Sequence, residues 1–356
     1  MRELIYEGQG RVAWHESADP AIQGPRHAIV RPIASSACDL DQRIIAGATA
    51  FEPPFALGHE CVAEVVEIGE GVTTVQPGDV VVLPWKPACG ECRYCLRGLT
   101  ASCEAYGFMG AYGLPLGANL GGFFSDLVLV PFADAMLVPV PPDVDPLALA
   151  AAGDNLTDAF MGVGKGLAKN PGGRVLVVGG TGSLGLYAAD MAQALGASQV
   201  VYIDDMRERR AIAASLGASV HEDFHDEFIM GFDVVAAATR DPAKYRQAFL
   251  ALAPGGHLAS LAIYFGDQPV PLWEMYKRDV SFSTGKPSTR PHIPDVVELC
   301  RCGKIHPEKV TTHLIAWEDA PEQLPVPAIK AIVHRAPIHA RRNDTIGKPA
   351  TSGVRP

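Results

Sequence analysis

Two different patterns of apolar residues divide the chain. Between residues 155 and 283, short apolar runs such as Val175–Val178 and Val200–Ile203 alternate with helix-like stretches such as Leu184–Leu195. This alternation predicts a parallel β-sheet covered by helices. In the first 150 residues, short segments rich in valine and isoleucine, such as Cys61–Ile68, are separated by glycine and proline turn signals and predict a β-rich region.

The last part of the chain contains one helical segment, Ile293–Cys302, and a short strand, Ala328–His334. The tail from Arg335 carries five basic residues and three prolines without apolar periodicity. It predicts disorder, with docking on a neighbouring subunit as the alternative. These patterns predict a change of architecture near residue 155 and again near residue 283.

Composition narrows the class of protein. The chain has 356 residues, of which 48% are hydrophobic and 20% charged, enough for two folded cores. Its net charge of −10 argues against nucleic acid or an anionic membrane as a partner. No run approaches the ~18 apolar residues of a membrane span, and the first residues lack the apolar core of a secretory signal. Because eight cysteines occur without such a signal, we expect thiols and bound metal in a reducing cytoplasm.

Four cysteines form a compact metal-binding pattern. Cys89, Cys92, Cys95 and Cys103 have the spacing C-x2-C-x2-C-x7-C. Four thiolates can complete the tetrahedral shell of a zinc ion at about 2.3 Å, and they leave no position for water. This pattern therefore predicts a structural zinc site. Disulfide bonds or four unrelated core cysteines are the alternatives, and disulfides fit poorly because two residues between neighbours make a tight bridge.

A glycine-rich turn predicts a dinucleotide site. Gly180, Gly182 and Gly185 form the motif G-x-G-x-x-G, which follows an apolar strand and opens a helix. The first glycine permits a tight turn, the second lets the backbone approach a pyrophosphate, and the third lets helix and strand pack closely. The helix N-terminus at Ser183 and Leu184 supplies free N–H groups for the phosphates.

An acidic residue after the next strand indicates the type of dinucleotide. Asp204 lies nineteen residues beyond Gly185, where a carboxylate can accept hydrogen bonds from the ribose hydroxyls and repel the 2′-phosphate of NADP. Asp205 adds negative charge. The pattern therefore predicts NAD, with a solvent-facing Asp in an ordinary strand–helix turn as the alternative. Three arginines follow too late for a phosphate clamp and are expected to decorate a helix: Arg207, Arg209 and Arg210.

Further motifs are specific when they occur together with the cysteine pattern and the glycine turn. They are LGHECVAEV at 57–65, QPGDVV at 76–81, GGFFS at 121–125, PGG at 254–256 and EDAP at 318–321. From about residue 5 to about residue 334, the chain resembles the zinc-dependent medium-chain dehydrogenase/reductase family, the alcohol and polyol dehydrogenases. The resemblance implies an α/β fold class: a Rossmann doubly wound parallel sheet plus a β-rich GroES-like catalytic domain with a structural zinc lobe. The domains it implies are an NAD-binding domain of residues 155–283 and a catalytic domain of residues 1–154 and 284–356.

The resemblance also implies a catalytic zinc site. In the family a Cys, a His and a third residue that is Cys, Asp or Glu hold the metal, and Cys38, His59 and Asp154 match these positions. Glu60 matches a residue that enters and leaves the zinc shell, and Asp41 matches the carboxylate that holds the ligand histidine in one tautomer. Three protein ligands and an open position suit catalysis. A helix N-cap is the alternative role for Asp154.

The implied chemistry is hydride transfer beside zinc. Zinc lowers the pKa of a hydroxyl from about 16 toward 7, and the alkoxide then releases hydride to the nicotinamide. Trp85 and Phe124 match family positions that wall the substrate pocket, and the full set of candidate pocket residues is Leu40, Leu57, Trp85, Phe108 and Phe124. Such a pocket suggests an alcohol with a sizeable apolar body, although these residues could equally be core.

Two charged residues stand near the implied cofactor phosphates. Lys330 lies where relatives place a basic residue close to the pyrophosphate. Asp39 stands where relatives often have Gly, Thr or Arg, and a carboxylate beside phosphates is unfavourable unless it turns away.

The leading hypothesis is an NAD-linked dehydrogenase of a secondary or bulky alcohol. Most alcohol-oxidising relatives pass the alcohol proton through Ser or Thr to a His, and here these positions hold Leu40 and Arg43. A reductase of a polarised C=C or C=N bond needs that relay less, and is the second hypothesis. A non-catalytic zinc and NAD binder is the third, and the retained zinc ligands argue against it.

The resemblance implies a homodimer or homotetramer, paired through an edge strand near Asp279–Ser283.

Overall fold

Three β-sheets and the surrounding helices make up the part of the chain that the computed structural model describes, residues 1–107, 109–117 and 119–339. The strands are β1 (Arg2–Gly8), β2 (Arg11–Glu16), β3 (Ala28–Ser36), β4 (Phe55–Ala56), β5 (Glu60–Ile68), β6 (Val80–Leu83), β7 (Val128–Val130), β8 (Val138–Pro139), β9 (Arg174–Val178), β10 (Gln199–Ile203), β11 (Ser219–His221), β12 (Phe232–Ala237), β13 (Leu252–Ser260), β14 (Ser281–Ser283), β15 (His313–Ala316) and β16 (Ala331–His334). The α-helices are α1 (Asp39–Ile45), α2 (Ala133–Met136), α3 (Asn155–Lys169), α4 (Leu184–Ala194), α5 (Arg207–Ser215), α6 (Pro242–Leu250), α7 (Leu272–Tyr276), α8 (Ile293–Arg301) and α9 (Ala320–Gln323).

The six-stranded sheet is parallel throughout, in the order β11-β10-β9-β12-β13-β14. Counted along the chain, this order is 3-2-1-4-5-6, the doubly wound arrangement of a Rossmann fold, and it confirms the predicted fold class. Residues Val175–Val178 of the central strand β9 are fully buried, as expected for a parallel strand covered on both faces. In such sheets, ligands bind beside the carboxyl ends of the strands where the order reverses, here between β9 and β12.

The other two sheets form the predicted β-rich part. Seven strands pair in the order β15-β16-β3-β5-β6-β8, with β7 also paired to β3, and β2-β1-β4 form a smaller sheet. Strands β15 and β16 follow the six-stranded sheet in the chain and return to pair with β3 near the N-terminus. This return agrees with a domain built from both ends of the chain, whose boundaries at 154/155 and 283/284 stay a prediction.

Helix α3 lies at the junction between the two large sheets. Its buried residues belong to one core cluster that also contains Val82 of β6 and Val175 of β9. Gly166 packs so closely on the parallel sheet that a Cβ there would lie 2.6 Å from Val234 Cγ1. The residue before this helix, Asp154, is therefore held where the two sheets meet.

Most predicted elements are present, with small shifts at their ends. Helices α4 and α8 match the spans predicted for them, Leu184–Leu195 and Ile293–Cys302, to within one residue at each end. The apolar run at 257–263 predicts a further strand, but β13 ends at Ser260, and residues 261–263 line a cavity instead. The last strand starts at Ala331, not at Ala328. The predicted tail lies outside the described residues from position 340 onward, and no described helix is long and apolar enough to cross a membrane.

Candidate active site

The turn between β9 and α4 has the geometry of a dinucleotide-binding loop. Gly180 has a φ of 129°, in the region that favours glycine. A Cβ on Gly185 would lie 3.4 Å from Ala238 Cβ, so α4 packs closely beside the end of β12. Ser183 and Leu184 begin the helix, and their backbone N–H groups point out of its N-terminus, where an anion is favoured.

Asp39 already occupies this N-terminus. Its Oδ1 accepts hydrogen bonds from the N–H and from the hydroxyl of Ser183, both at 2.8 Å, and its Oδ2 accepts one from the Leu184 N–H at 3.2 Å. A Cβ built on Gly182 would lie 2.8 Å from the same Oδ1. A favourable arrangement beside a bound pyrophosphate would require the carboxylate to turn away from the phosphate-binding groups. Instead, the Asp39 carboxylate binds these groups.

Asp204 follows β10, as predicted, but its carboxylate is buried and paired. It accepts hydrogen bonds from the Tyr202 hydroxyl, the Met206 N–H, and two guanidinium nitrogens of Arg209 at 2.7 Å each. Although burial acts in the opposite direction, Arg209 and Met206 hold the pKa of Asp204 below its ordinary value. The expectation that the arginines only decorate a helix is wrong for Arg209, and also for Arg210, which donates to the Asp204 backbone carbonyl at 2.7 Å.

Three elements bring the predicted catalytic ligands together. Cys38 caps α1, His59 directly precedes β5, and Asp154 directly precedes α3. Asp154 Oδ2 lies 3.5 Å from Cys38 Sγ and 3.5 Å from His59 Nε2. Asp154 stands at the N-cap position, but its side chain caps nothing and faces the cluster instead.

The surroundings of the cluster favour a cation at its centre. Asp41 accepts a hydrogen bond from the Cys38 N–H at 2.9 Å, and its other oxygen lies 3.5 Å from His59 Nδ1. A proton on Nδ1 leaves the Nε2 lone pair directed at the cluster. Burial lowers the pKa of His59, but Asp41 and Asp154 outweigh it and raise that pKa to about 9. Burial, together with Asp154 and Glu60, raises the pKa of the Cys38 thiol well above its ordinary value.

The donor set fits zinc. A tetrahedron with metal–ligand bonds of about 2.0–2.3 Å has edges of about 3.3–3.8 Å, and both 3.5 Å separations fall in this range. One sulfur, one imidazole nitrogen and one carboxylate oxygen form a three-ligand set that leaves a fourth position open.

Glu60 and Lys330 lie behind the cluster and bind each other. The Lys330 ammonium donates to Glu60 Oε2 at 2.6 Å, and both side chains are fully buried. Ser36 also donates to Oε2, and the Asn155 N–H donates to Oε1 at 2.9 Å. Glu60 is thus held away from the three ligands. The described contacts of the Lys330 ammonium are with Glu60 and the ring of Tyr187, and its place beside the cofactor pyrophosphate stays a prediction.

The four cysteines of the second pattern also converge. The sulfurs of Cys89, Cys92, Cys95 and Cys103 all lie within 4.8 Å of one another. Backbone N–H groups of Cys92 and Cys95 donate to the preceding sulfurs at 3.4 and 3.5 Å. Burial raises the pKa of the Cys89 and Cys95 thiols, whereas at Cys92 backbone hydrogen bonds outweigh burial and lower the pKa of the thiol to about 6. This arrangement supports a closed, four-thiolate zinc site.

One cavity of about 410 Å³ contains the three-ligand cluster and reaches the glycine turn. Leu40 and Trp85 line it, as predicted from the resemblance. Leu57 and Phe124 do not: both are fully buried in a core cluster with Leu4 and Trp317, which corrects their predicted place in the pocket. The remaining predicted pocket residue, Phe108, lies outside the described residues.

Other cavity residues were missed from the sequence. The apolar ones are Phe51, Met109, Leu114, Leu116, Leu261, Ile263 and Phe265, and the charged ones include Asp158, Arg240 and Lys286. Two parts of this set, residues 261–265 and Arg240, could have been predicted from their positions in the sequence. Residues 261–265 follow β13 and Arg240 follows β12, and ligands bind at the carboxyl ends of parallel strands.

Comparison with known proteins identifies the family. Residues 24–142 match the family described as "Alcohol dehydrogenase GroES-like domain", and residues 183–299 match "Zinc-binding dehydrogenase". The solved alcohol dehydrogenase TADH from Thermus sp. ATN1 is 33% identical, with a TM-score of 0.87 over 94% of this chain and 99% of that one. The chain therefore belongs to the zinc-dependent medium-chain dehydrogenase/reductase family, and it is an oxidoreductase.

Two further relatives carry different names. A probable zinc-binding alcohol dehydrogenase of Mycobacterium tuberculosis is 28% identical over 330 residues, which cover 90% of this chain and 83% of the relative. A glutathione-independent formaldehyde dehydrogenase of Pseudomonas aeruginosa is 34% identical over 234 residues, which cover 62% and 58%. Similarity thus establishes a zinc-binding dehydrogenase but selects no substrate.

Proposed function

We propose that this protein transfers hydride between NAD(H) and a secondary or bulky apolar alcohol or its carbonyl compound. The observation that carries the proposal is the shared cavity: Thr181 and Leu184 of the glycine turn line it together with Cys38, His59 and Asp154. A substrate in the apolar part of the cavity would lie between the metal ligands and the nicotinamide end of a dinucleotide.

The chain's own residues prepare this site in three ways. The Asp41 carboxylate, 3.5 Å from His59 Nδ1, favours a proton on that nitrogen, which would leave Nε2 free to bind a metal. Cys38, His59 and Asp154 would hold a zinc ion, which supplies Lewis acidity and lowers the pKa of a hydroxyl. Leu40 and Trp85 give the cavity an apolar lining, which lowers the local dielectric and strengthens the interactions of charges inside it.

NAD is the proposed cofactor because Asp204 and Asp205 place negative charge where the 2′-phosphate of NADP would lie. Arg209 neutralises part of that charge, since it pairs with Asp204. Two zinc ions per chain, one in each ligand cluster, a homodimer or homotetramer, and a cytoplasmic location also stay predictions.

A second candidate is NADH-dependent reduction of a polarised C=C or C=N bond. The specific observation in its favour is Leu40, which lines the cavity but can neither donate nor accept a proton. Reduction of such bonds does not begin with the removal of an alcohol proton.

A substrate panel separates the candidates. Zinc-loaded protein is assayed for NAD reduction with primary, secondary and aryl alcohols, and for NADH oxidation with ketones, enals and imines. The first proposal expects turnover of secondary or bulky alcohols and ketones, which Cys38→Ser abolishes. Cys302→Ser, at an exposed cysteine that does not line the cavity, is the matched control and should keep full activity. Turnover of enals or imines alone would replace the first candidate by the second.

A further inference from the structure

The phosphate-binding end of α4 is filled by a side chain of this protein. Three donors at the helix start, the N–H and hydroxyl of Ser183 and the N–H of Leu184, all bind the Asp39 carboxylate. These are the groups that a glycine turn offers to a dinucleotide pyrophosphate. In the free protein Asp39 is thus an internal anion in the place of an external one.

A pyrophosphate and this carboxylate cannot share the site. Gly182 leaves space beside the turn because it has no side chain, and Asp39 Oδ1 lies in that space, 2.8 Å from where a Cβ would stand. A phosphate oxygen that binds the same N–H groups would therefore collide with a carboxylate oxygen of like charge. The carboxylate has to leave before the phosphates can bind.

Two guanidinium groups in the same cavity could bind the phosphates. Arg43 and Arg240 line the same cavity as Asp39. Within the described residues, Arg240 forms no hydrogen bond or ion pair, while Arg43 donates only to the Ala48 carbonyl at 2.9 Å. Burial, and the nearby charge of Arg43, hold the pKa of Arg240 below its ordinary value. A doubly charged pyrophosphate would relieve this repulsion, and guanidinium is well suited to phosphate.

We propose that Asp39 is a built-in competitor for the pyrophosphate site, which the dinucleotide must displace, and that Arg43 and Arg240 hold the pyrophosphate that takes its place. The proposal rests on dinucleotide binding, as in the proposed function. It means that this protein binds its cofactor more weakly than its glycine turn alone would allow.

The test compares ligands with and without phosphates. Binding of NADH, ADP and adenosine to the zinc-loaded, full-length protein is measured by calorimetry, with adenosine measured by competition. Asp39→Asn should bind NADH and ADP roughly tenfold more tightly than the wild type, because neutral amide oxygens do not repel phosphate. Its affinity for adenosine should stay the same. Glu52→Gln removes an exposed carboxylate next to Phe51 of the cavity, and controls for the change in net charge.

Two further variants keep the test decisive if Asp39→Asn folds poorly. Asp39→Ser should show the same selective gain, and Arg240→Gln should weaken ADP and NADH binding without changing adenosine binding. The proposal is overturned if the Asp39 variants gain as much affinity for adenosine as for ADP, or gain no affinity for ADP. In that case, NADH binding by the wild type would still leave the proposed function intact. If neither the wild type nor any variant binds NADH or ADP, both fall.

Discussion

The role of Asp204 depends on which partners its two oxygens already have. Tyr202, Met206 and Arg209 supply four hydrogen bonds to the carboxylate, and it is almost fully buried. The guanidinium of Arg209, five residues further along the chain, therefore neutralises part of the negative charge of Asp204. We therefore expect cofactor choice to depend on the Asp204–Arg209 pair, not on Asp204 alone.

Wild-type protein should prefer NAD by kcat/KM, and Asp204→Ala should move the NAD/NADP ratio toward NADP by at least roughly tenfold. The substitution removes a negative charge and at the same time frees the Arg209 guanidinium for a 2′-phosphate. Steady-state kinetics with both cofactors measure the ratio. Asp205→Ala is the comparison: it removes an exposed charge that contacts Arg209 at 3.5 Å, so it should move the ratio in the same direction but by less. A wild type that prefers NADP would contradict the assignment.

The proton route is set by two cavity residues that cannot carry a proton in the usual way, Leu40 and Arg43. Two other ionisable groups that could accept the proton, Lys86 and Glu60, are held by contacts of their own. Lys86 donates to the carbonyls of Gly107 and Gly110, and Glu60 is held by donors behind the cluster. Water that reaches the metal position is the route that remains, so the pH dependence of alcohol oxidation should reflect the metal-bound oxygen without a separate histidine.

Leu40→Ser should speed alcohol oxidation if a hydroxyl relay is the missing element, by roughly tenfold or more given the usual size of proton-transfer catalysis. Leu40→Ala is the matched control, because it makes the same space without a hydroxyl. Oxidation rates of both variants are compared across pH. If the two variants oxidise alcohols at equal rates and the wild type is already fast, another proton route operates.

At the scale of elements, the cysteine lobe has little core of its own. A small apolar cluster at the base of this lobe, residues 89–103, contains Trp85, Ala101 and Ala111. All residues of the lobe are described, and their regular structure consists of two short 3-10 helices, Cys95–Arg97 and Thr100–Ser102. Metal binding must therefore supply much of its folding free energy.

Metal analysis of the purified protein should find two zinc ions per chain. Cys92→Ser should leave one zinc and lower the melting temperature or solubility, because the lobe depends on its metal. Cys38→Ser should also leave one zinc, with loss of activity but a smaller effect on melting. A single zinc in the wild type that survives Cys92→Ser would refute the structural site.

Helix α4 carries a buried acid that makes stability depend on pH. Asp190 accepts a hydrogen bond from the His306 N–H at 2.6 Å, and burial raises its pKa to about 6. Since this folded-state pKa is above the unfolded value, Asp190 favours the folded state only when protonated. That advantage is complete below about pH 4 and is lost as pH rises through 6, at a cost of at most about 3 kcal/mol.

Asp190→Asn should therefore raise the melting temperature at pH 8 and change it little near pH 4, since the amide oxygen can still accept the bond from His306. Thermal unfolding across this pH range measures the difference. Asp267→Asn, at an exposed carboxyl, should have no pH-dependent effect. A stabilisation that is equal at both pH values would show that ionisation of Asp190 is not its cause.

The elements predicted from the sequence are those whose signals are local. Helix α4 starts where the glycine motif ends, and its apolar face follows within eleven residues, so its span could be predicted. The pairs Asp39–Ser183 and Lys330–Glu60 join residues 144 and 270 positions apart, and no local pattern determines them. The cluster of Cys38, His59 and Asp154 could be predicted only because the resemblance supplied these positions, whereas the spacing of the four cysteines was enough to predict theirs. The partners of Asp39, Asp204 and Lys330 required the fold.

At the scale of the whole molecule, the site depends on segments from both ends of the chain. Strand β16 pairs with β3, whose last residue, Ser36, donates to Glu60. Lys330, just before β16, reaches the same carboxylate. The C-terminal strand thus supports the metal cluster from behind, while α4 and the cavity lie in front of it.

The parallel sheet ends in a strand that has only one partner among the described residues. Strand β14 pairs with β13 alone, and Phe282 in it is 39% exposed. Just before it, α7 exposes Leu272, Trp273 and Tyr276. Open edges and contiguous exposed apolar residues are normally covered by another chain. We therefore predict a dimer or tetramer that pairs through β14.

Light scattering across a concentration series should show this oligomer, and Phe282→Lys should shift it toward smaller species, because a charge on the paired edge opposes association. Leu314→Lys is the matched comparison: it places the same charge on an exposed apolar residue of β15, the edge strand of the seven-stranded sheet. If Leu314→Lys dissociates the protein and Phe282→Lys does not, the chains pair through the other sheet. A wild type that stays monomeric at every concentration would contradict assembly altogether, and the exposed face of α7 would then need a different explanation.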